Sequence, residues 1–196
     1  MALSRLFETA ALADAAAFRG LRVLELGAGC GLPGLLLGKL GASKVVLTDM
    51  AQCVELLQDN IDDNELQACA CAAALDWTSA GDLEAVTRAH GCEFDLVLAA
   101  DTVYAPELVR PFHSLLLHFC TAPGTRVYFS APRPRVQQAT DAFFDLVRGP
   151  DSYFDVVKVP SSSYIAAAPA SATATVDGNQ GIFILTRKPV SKQLST

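Results

Sequence analysis

"VLELGAGCGLPG", residues 23–34, decides how this chain is read. An apolar run, broken only by Glu25, ends at Leu26, and five of the eight residues from 27 to 34 are Gly or Ala. So many small residues after a strand-like run mean that something comes close to the backbone there. The choices are a dinucleotide, a phosphate or another ligand.

Outward from this stretch, apolar runs of strand length alternate with longer helical patterns. "LRVLEL" (21–26) reads as a strand, and "LPGLLLGKLG" (32–41) as a helix with Pro33 in its first turn and Gly41 as its stop. "KVVLTD" (44–49) is a second strand, and 50–64 is a helix with Val54, Leu57 and Ile61 on one face. "ACACAAAL" (68–75) is a third strand despite the poor strand propensity of Ala. A helix over 80–90 leads to "FDLVLAAD" (94–101), a strand buried on both faces. The segment 106–120 reads as a helix with Pro111 as a kink or register marker, 125–131 as a strand and 136–149 as a helix. The last two strands, 153–160 and 181–188, have no helix between them. Their connection, 161–180, is rich in Ser, Ala and Thr and reads as a mobile loop.

Strands separated by helices lie parallel with right-handed crossovers. The last two can form an antiparallel pair. The expected fold class is α/β: one Rossmann-like domain over 1–196, with a mostly parallel seven-strand sheet, an antiparallel last strand pair and helices on both faces. The first 20 residues read as an N-terminal helix, because Glu8 and Asp14 break the apolar middle that a signal peptide needs.

Composition narrows the function. The chain has 196 residues, 51% hydrophobic and 18% charged, which suits one globular domain. No stretch approaches the ~18 uninterrupted apolar residues of a spanning helix, so no membrane role is expected. The net charge is −6, and the densest basic stretch is only "PRPRV" at 132–136, which argues against nucleic acid as a partner. The six cysteines show no C-x-x-C pair and are expected as thiols in an intracellular, cytoplasmic or also nuclear protein, with no metal. Nothing in the sequence demands more than a monomer.

In an open parallel sheet, ligands bind beyond the C-terminal ends of the strands. Gly27, Gly29 and Asp49 fall at such ends. The dinucleotide pattern G-x-G-x-x-G fails from Gly27, since residue 32 is Leu, and fits from Gly29 only by placing Gly34 inside the helix. The spacing E-x-G-x-G-x-G fits better, over Glu25, Gly27, Gly29 and Gly31. A carboxylate before the loop repels a pyrophosphate and suits a cationic amino-acid end. Asp49 can accept hydrogen bonds from ribose hydroxyls. A ligand with a ribose, a positive group and no phosphate is S-adenosylmethionine.

Three stretches carry a family resemblance: "VLELGAGCGLPGLLLGKLGASKVVLTD" (23–49), "LDW" (75–77) and "FDLVLAADTVY" (94–104). The first resembles the first motif region of class I, seven-strand S-adenosylmethionine-dependent methyltransferases. The set of three resembles the methyltransferase-like family 16 group, which contains protein-lysine methyltransferases and carries a D-x-x-Y sequence, here Asp101 to Tyr104. The resemblance implies that Glu25, Gly27, Gly29 and Gly31 line the methionine half of the cofactor and that Asp49 holds the ribose. It implies that Asp76 and Trp77 flank the adenine, that Ala100 and Asp101 lie under the reactive centre, and that Tyr104 shapes the channel for the target side chain. The implied activity is methyl transfer to a protein lysine. A small nitrogenous metabolite as acceptor, and a non-catalytic binding protein that keeps the fold, are the alternatives. The family generally adds an N-terminal tryptophan over the cofactor, whereas the one tryptophan of this chain is Trp77.

Overall fold

The computed structural model describes residues 2–131, 136–164 and 181–189. Seven strands form one sheet: β1 (Arg22–Leu26), β2 (Lys44–Asp49), β3 (Ala70–Ala74), β4 (Leu96–Ala100), β5 (Arg126–Ser130), β6 (Phe154–Lys158) and β7 (Ile182–Arg187). Their order is β3-β2-β1-β4-β5-β7-β6. The pairs β1–β2, β1–β4, β2–β3 and β4–β5 are parallel, and β7 runs antiparallel to both β5 and β6. This is the expected Rossmann-like methyltransferase sheet with its antiparallel end.

Among the described residues six α-helices cover the sheet: α1 (Ala2–Ala13), α2 (Leu32–Lys39), α3 (Val54–Asp63), α4 (Ala80–His90), α5 (Val109–Phe119) and α6 (Gln137–Arg148). Alternation along the central strands assigns the faces. Val23 of β1, Leu96 and Leu98 of β4 and Tyr128 of β5 pack in one core with side chains of α1, α2 and α3. Their neighbours Leu24, Val97, Ala99, Val127 and Phe129 pack in the other, with side chains of α4, α5 and α6. The second core is aromatic: Phe129 meets Phe143 at 4.7 Å and Phe144 at 5.9 Å between ring centroids, and Phe144 meets Phe183 at 4.4 Å. Aromatic pairs at such spacing add about 0.5–1.5 kcal/mol each beyond the area they bury.

Several boundaries differ from the sequence reading for local reasons. The helix expected over 1–20 closes at Ala13, where the Asp14 carboxylate accepts the Ala16 N–H at 2.9 Å and turns the chain. The segments 50–64 and 106–120 each begin with a 3₁₀ turn, Ala51–Cys53 and Pro106–Leu108, before α3 and α5. Pro111 stands in the first turn of α5, where its missing N–H leaves no helical bond unmade, so it marks no kink. The Ala-rich β3 is an edge strand that pairs with β2 alone. Of the connection 161–180, residues 165–180 lie outside the described residues, as does most of "PRPRV". Among the described residues no helix is long and apolar enough to cross a membrane.

Candidate cofactor site

The parallel register aligns the C-terminal tips of five strands. Leu26 pairs with Thr48, Asp49 with Ala74, and Ala100 with Ser130. The chain leaves β1 through a glycine loop in left-handed conformations, with φ of 66° at Gly27, 59° at Gly29 and 78° at Gly31. Side-chain-bearing residues adopt such angles only at a cost, which explains the glycines. Gly31 is then the N-cap of α2.

This loop is tied down by its own hydrogen bonds. The N–H of Ala28 donates to Thr48 O at 2.9 Å, and that of Gly31 to Ala28 O at 2.8 Å. The N–H of Gly29 donates to Asp49 Oδ2 at 2.7 Å, while Asp49 Oδ1 accepts from Met50 N at 2.7 Å. Three loop amides that would face a phosphate in a dinucleotide site are therefore engaged inside the protein. Each Asp49 oxygen keeps a further lone pair for a ligand hydroxyl.

A cleft of about 560 Å³, counting the space at its mouth, opens beside this loop at the tips of the strands. Six residues singled out from the sequence line it: Gly27, Asp49, Asp76, Trp77, Asp101 and Tyr104. Met50, Leu75, Thr102 and Leu108 complete the lining. These four carried no signal of their own in the sequence, although Met50 and Thr102 directly follow Asp49 and Asp101. A larger hollow around Arg22, Asp95 and Arg126 lies at the N-terminal ends of the strands. Sheets of this type bind ligands at the opposite edge, so the smaller cleft is the candidate.

Glu25, Gly29, Gly31 and Ala100, also expected at the site, are not among the lining residues; Gly29 is exposed to solvent, and Glu25 and Gly31 are buried. Glu25 is fully buried, and its Oε2 accepts the N–H of Gly34, the third residue of α2, at 2.9 Å. Burial pushes its carboxyl up to about 8; the Gly34 N–H opposes this and the Asp49 charge adds to it. Near neutral pH it is mostly protonated. The negative charge facing the cleft thus comes from Asp49, Asp76 and Asp101, and not from Glu25.

Asp76 Oδ1 accepts both the N–H and the hydroxyl of Thr78 at 2.8 Å, which holds its carboxyl below the usual carboxylate range. Trp77 is half-buried, with its ring 5.2 Å from that of Phe112. Asp101 has φ 59°, a left-handed conformation rare outside glycine, just past β4. It caps neither the 3₁₀ turn at Pro106, whose N-cap is Ala105, nor α5, whose N-cap is Leu108. Tyr104, 61% exposed, stands at the mouth. Thr102 is buried, and its Oγ1 has no hydrogen-bond partner. His90, His113 and His118 are absent from the lining; His118 Nε2 instead bonds Thr87 Oγ1 at 2.8 Å.

The cleft fits the expected cofactor on its own chemistry. Three carboxylates and no Lys or Arg line it, which disfavours a pyrophosphate and favours a cationic ligand. A Cβ on Gly27 would lie 2.8 Å from Thr102 Cγ2 and 3.3 Å from a Trp77 ring carbon, so only glycine leaves this floor open.

A family model described as lysine methyltransferase matches residues 1–149. The chain is 31% identical over 132 residues to EEF1A lysine methyltransferase 3 of Mus musculus, covering 65% of this chain and 51% of that protein. It is 35% identical over 106 residues to protein N-lysine methyltransferase METTL21A of the same organism, covering 53% and 46%. The chain thus spans about half the length of these curated relatives. Among solved structures, the O-methyltransferase from Bacillus cereus in complex with SAH superposes with a TM-score of 0.56 at 17% identity, covering 95% of this chain and 90% of that one. The O-methyltransferase TomG from Streptomyces achromogenes, in complex with SAM, gives 0.61 at 16% identity, covering 95% and 79%. At these identities the structural likeness is one of fold.

Proposed function

Because this chain belongs to the lysine methyltransferase family, we propose that it is an S-adenosylmethionine-dependent methyltransferase whose acceptor is a lysine side chain of a protein. The observation that carries the reading is the acidic cleft at the strand tips, with its glycine floor, its engaged loop amides and its carboxylate at the end of β2. The two mouse relatives, both named as lysine methyltransferases, support lysine as the acceptor. An open mouth with a well-exposed tyrosine suits a side chain presented on a protein better than a small metabolite.

When bound, the cofactor supplies a methyl group on a sulfonium centre, which is displaced in line by the acceptor nitrogen. The acceptor amine would form the new N–C bond as the S–C bond of the sulfonium breaks, and would give up its proton to water at the open mouth. Asp49 holds the ribose hydroxyls through its remaining lone pairs, and Trp77 packs on the adenine. Gly27 lets the methionine half approach the backbone. A lysine ammonium has a pKa of about 10.4 and must be neutral to attack. Asp101 and Tyr104 orient the incoming amine, and Asp101 favours its arrival as a cation before the proton leaves through the open mouth. Neither residue acts as a strict general base in this scheme.

Isothermal titration with S-adenosylmethionine, S-adenosylhomocysteine and NAD tests the cofactor. Micromolar binding of the first two, lost in Asp49→Ala, with none for NAD, is the expected result. Tritiated cofactor added with the enzyme to cell lysate then tests the acceptor. Label in protein, recovered as methyl-lysine after hydrolysis, supports the reading. Label confined to small molecules overturns the lysine assignment.

A further inference from the structure

Resting on the cofactor reading above, we propose that Thr102 is a ligand-positioning residue whose hydroxyl donates a hydrogen bond to the carboxylate at the amino-acid end of the bound cofactor. Thr102 is 5% exposed, and its Oγ1 is buried with no partner. A buried hydroxyl without a bond is costly, and a valine of equal shape would remove that cost. Thr102 nevertheless lines the cleft, on the floor beside Gly27 and Trp77.

The ligand needs a donor at this place. A methionine-type carboxylate brings negative charge into a cleft that offers three carboxylates and no Lys or Arg. The loop amides of Ala28, Gly29 and Gly31, the obvious alternatives, already bond within the protein. The methyl of Thr102 now packs nearest Gly27, the residue assigned to the methionine half. One χ1 step brings the hydroxyl to the place the methyl now holds, with the methyl moving to the position of the Cβ hydrogen. Ligand binding then satisfies the hydroxyl and supplies the missing donor together.

The test uses the full chain as wild type, Thr102→Val and Thr102→Ser, titrated with S-adenosylhomocysteine and with 5′-methylthioadenosine, which lacks the amino-acid end. Thr102→Val is expected to melt no lower than wild type and to bind S-adenosylhomocysteine roughly 10- to 100-fold more weakly, the size expected for one bond to a charged group. Its affinity for methylthioadenosine stays within about twofold, because the contact involves only the missing end. Thr102→Ser keeps the wild-type affinity for both. Unchanged S-adenosylhomocysteine binding in Thr102→Val, or equal losses for the two ligands, overturns the assignment while leaving the cofactor reading intact. A wild-type chain that binds neither ligand overturns both.

Discussion

The buried carboxyl of Glu25 accepts the backbone N–H of Gly34 at 2.9 Å, so the end of strand β1 and the first turn of α2 are joined behind the glycine loop. The N–H groups of a helix's first turn have no helical partner, and here a side chain from the preceding strand supplies one. With its carboxyl pushed from 4.5 up to about 8, Glu25 binds a proton in the folded chain that it loses in the unfolded one across that interval. Stability contributed by this group therefore falls as pH rises from about 4.5 to about 8 and levels off above. The full drop is on the order of 4 kcal/mol. Glu25→Gln keeps an acceptor for Gly34 and cannot ionise. Urea unfolding from pH 5 to 9 should show wild type losing stability relative to Glu25→Gln by several kcal/mol, and parallel curves would refute the buried acid.

Asp101 shows the opposite balance, strain kept at a functional place. A left-handed conformation costs an L-residue about 1 kcal/mol, less for Asp than for most. Asp101→Gly removes that strain, although it also frees the unfolded chain. The net expectation is a gain of roughly 0.5 kcal/mol with a loss of methyl transfer by about 100-fold. Asp101→Asn, which tolerates the same backbone, should keep wild-type stability and lose the charge alone. Thermal melts beside initial methylation rates check both. If Asp101→Asn retains full activity, the carboxylate has no part in orienting the amine.

Much of this was readable beforehand, for physical reasons that vary by element. The strands that flank the site are short apolar runs bounded by Gly, Asp and charged residues, and β2 ends where the sequence placed it, at Asp49. The helix over 80–90 begins after Ser79, whose hydroxyl accepts from Asp82 N, a start signal that composition carries. What the sequence hid depends on contacts between distant segments. Nothing local tells that Glu25 turns toward Gly34, or that its ionisation is suppressed by packing under α2. The orphaned Thr102 hydroxyl and the left-handed Asp101 exist only once Gly27 and Trp77 are brought against the end of β4. The 3₁₀ turns before α3 and α5 escaped because their residues suit either helix.

Two glycines separate packing from binding. A Cβ on Gly34 would lie 2.6 Å from Glu25 Oε2 and 3.2 Å from Val45 Cγ1 in the core. Gly34→Ala should therefore cost about 1–3 kcal/mol of stability. A Cβ on Gly27 meets Thr102 and Trp77 instead, at a φ of 66°. Gly27→Ala should destabilise by about 1–2 kcal/mol through the backbone and also abolish micromolar ligand binding, because the floor is filled. Comparing melting temperature and ligand affinity for the two variants tests the split. Ligand binding equal to wild type in Gly27→Ala would move the cofactor away from this loop.

Trp77 makes the site self-reporting. It is the only tryptophan of the chain, half-buried, with its ring 5.2 Å from that of Phe112, and it lines the cleft. An adenine stacked on the indole removes water from it and alters its emission, so titration with S-adenosylhomocysteine should change the tryptophan fluorescence in one saturating step. Trp77→Phe keeps a ring for Phe112 and for the adenine and should weaken binding by about tenfold or less. Trp77→Ala loses both contacts and should weaken it further, with about 2 kcal/mol of stability lost from the half-buried ring. Fluorescence that does not respond, while calorimetry reports binding, would place the adenine elsewhere and leave Trp77 as packing for α5 alone.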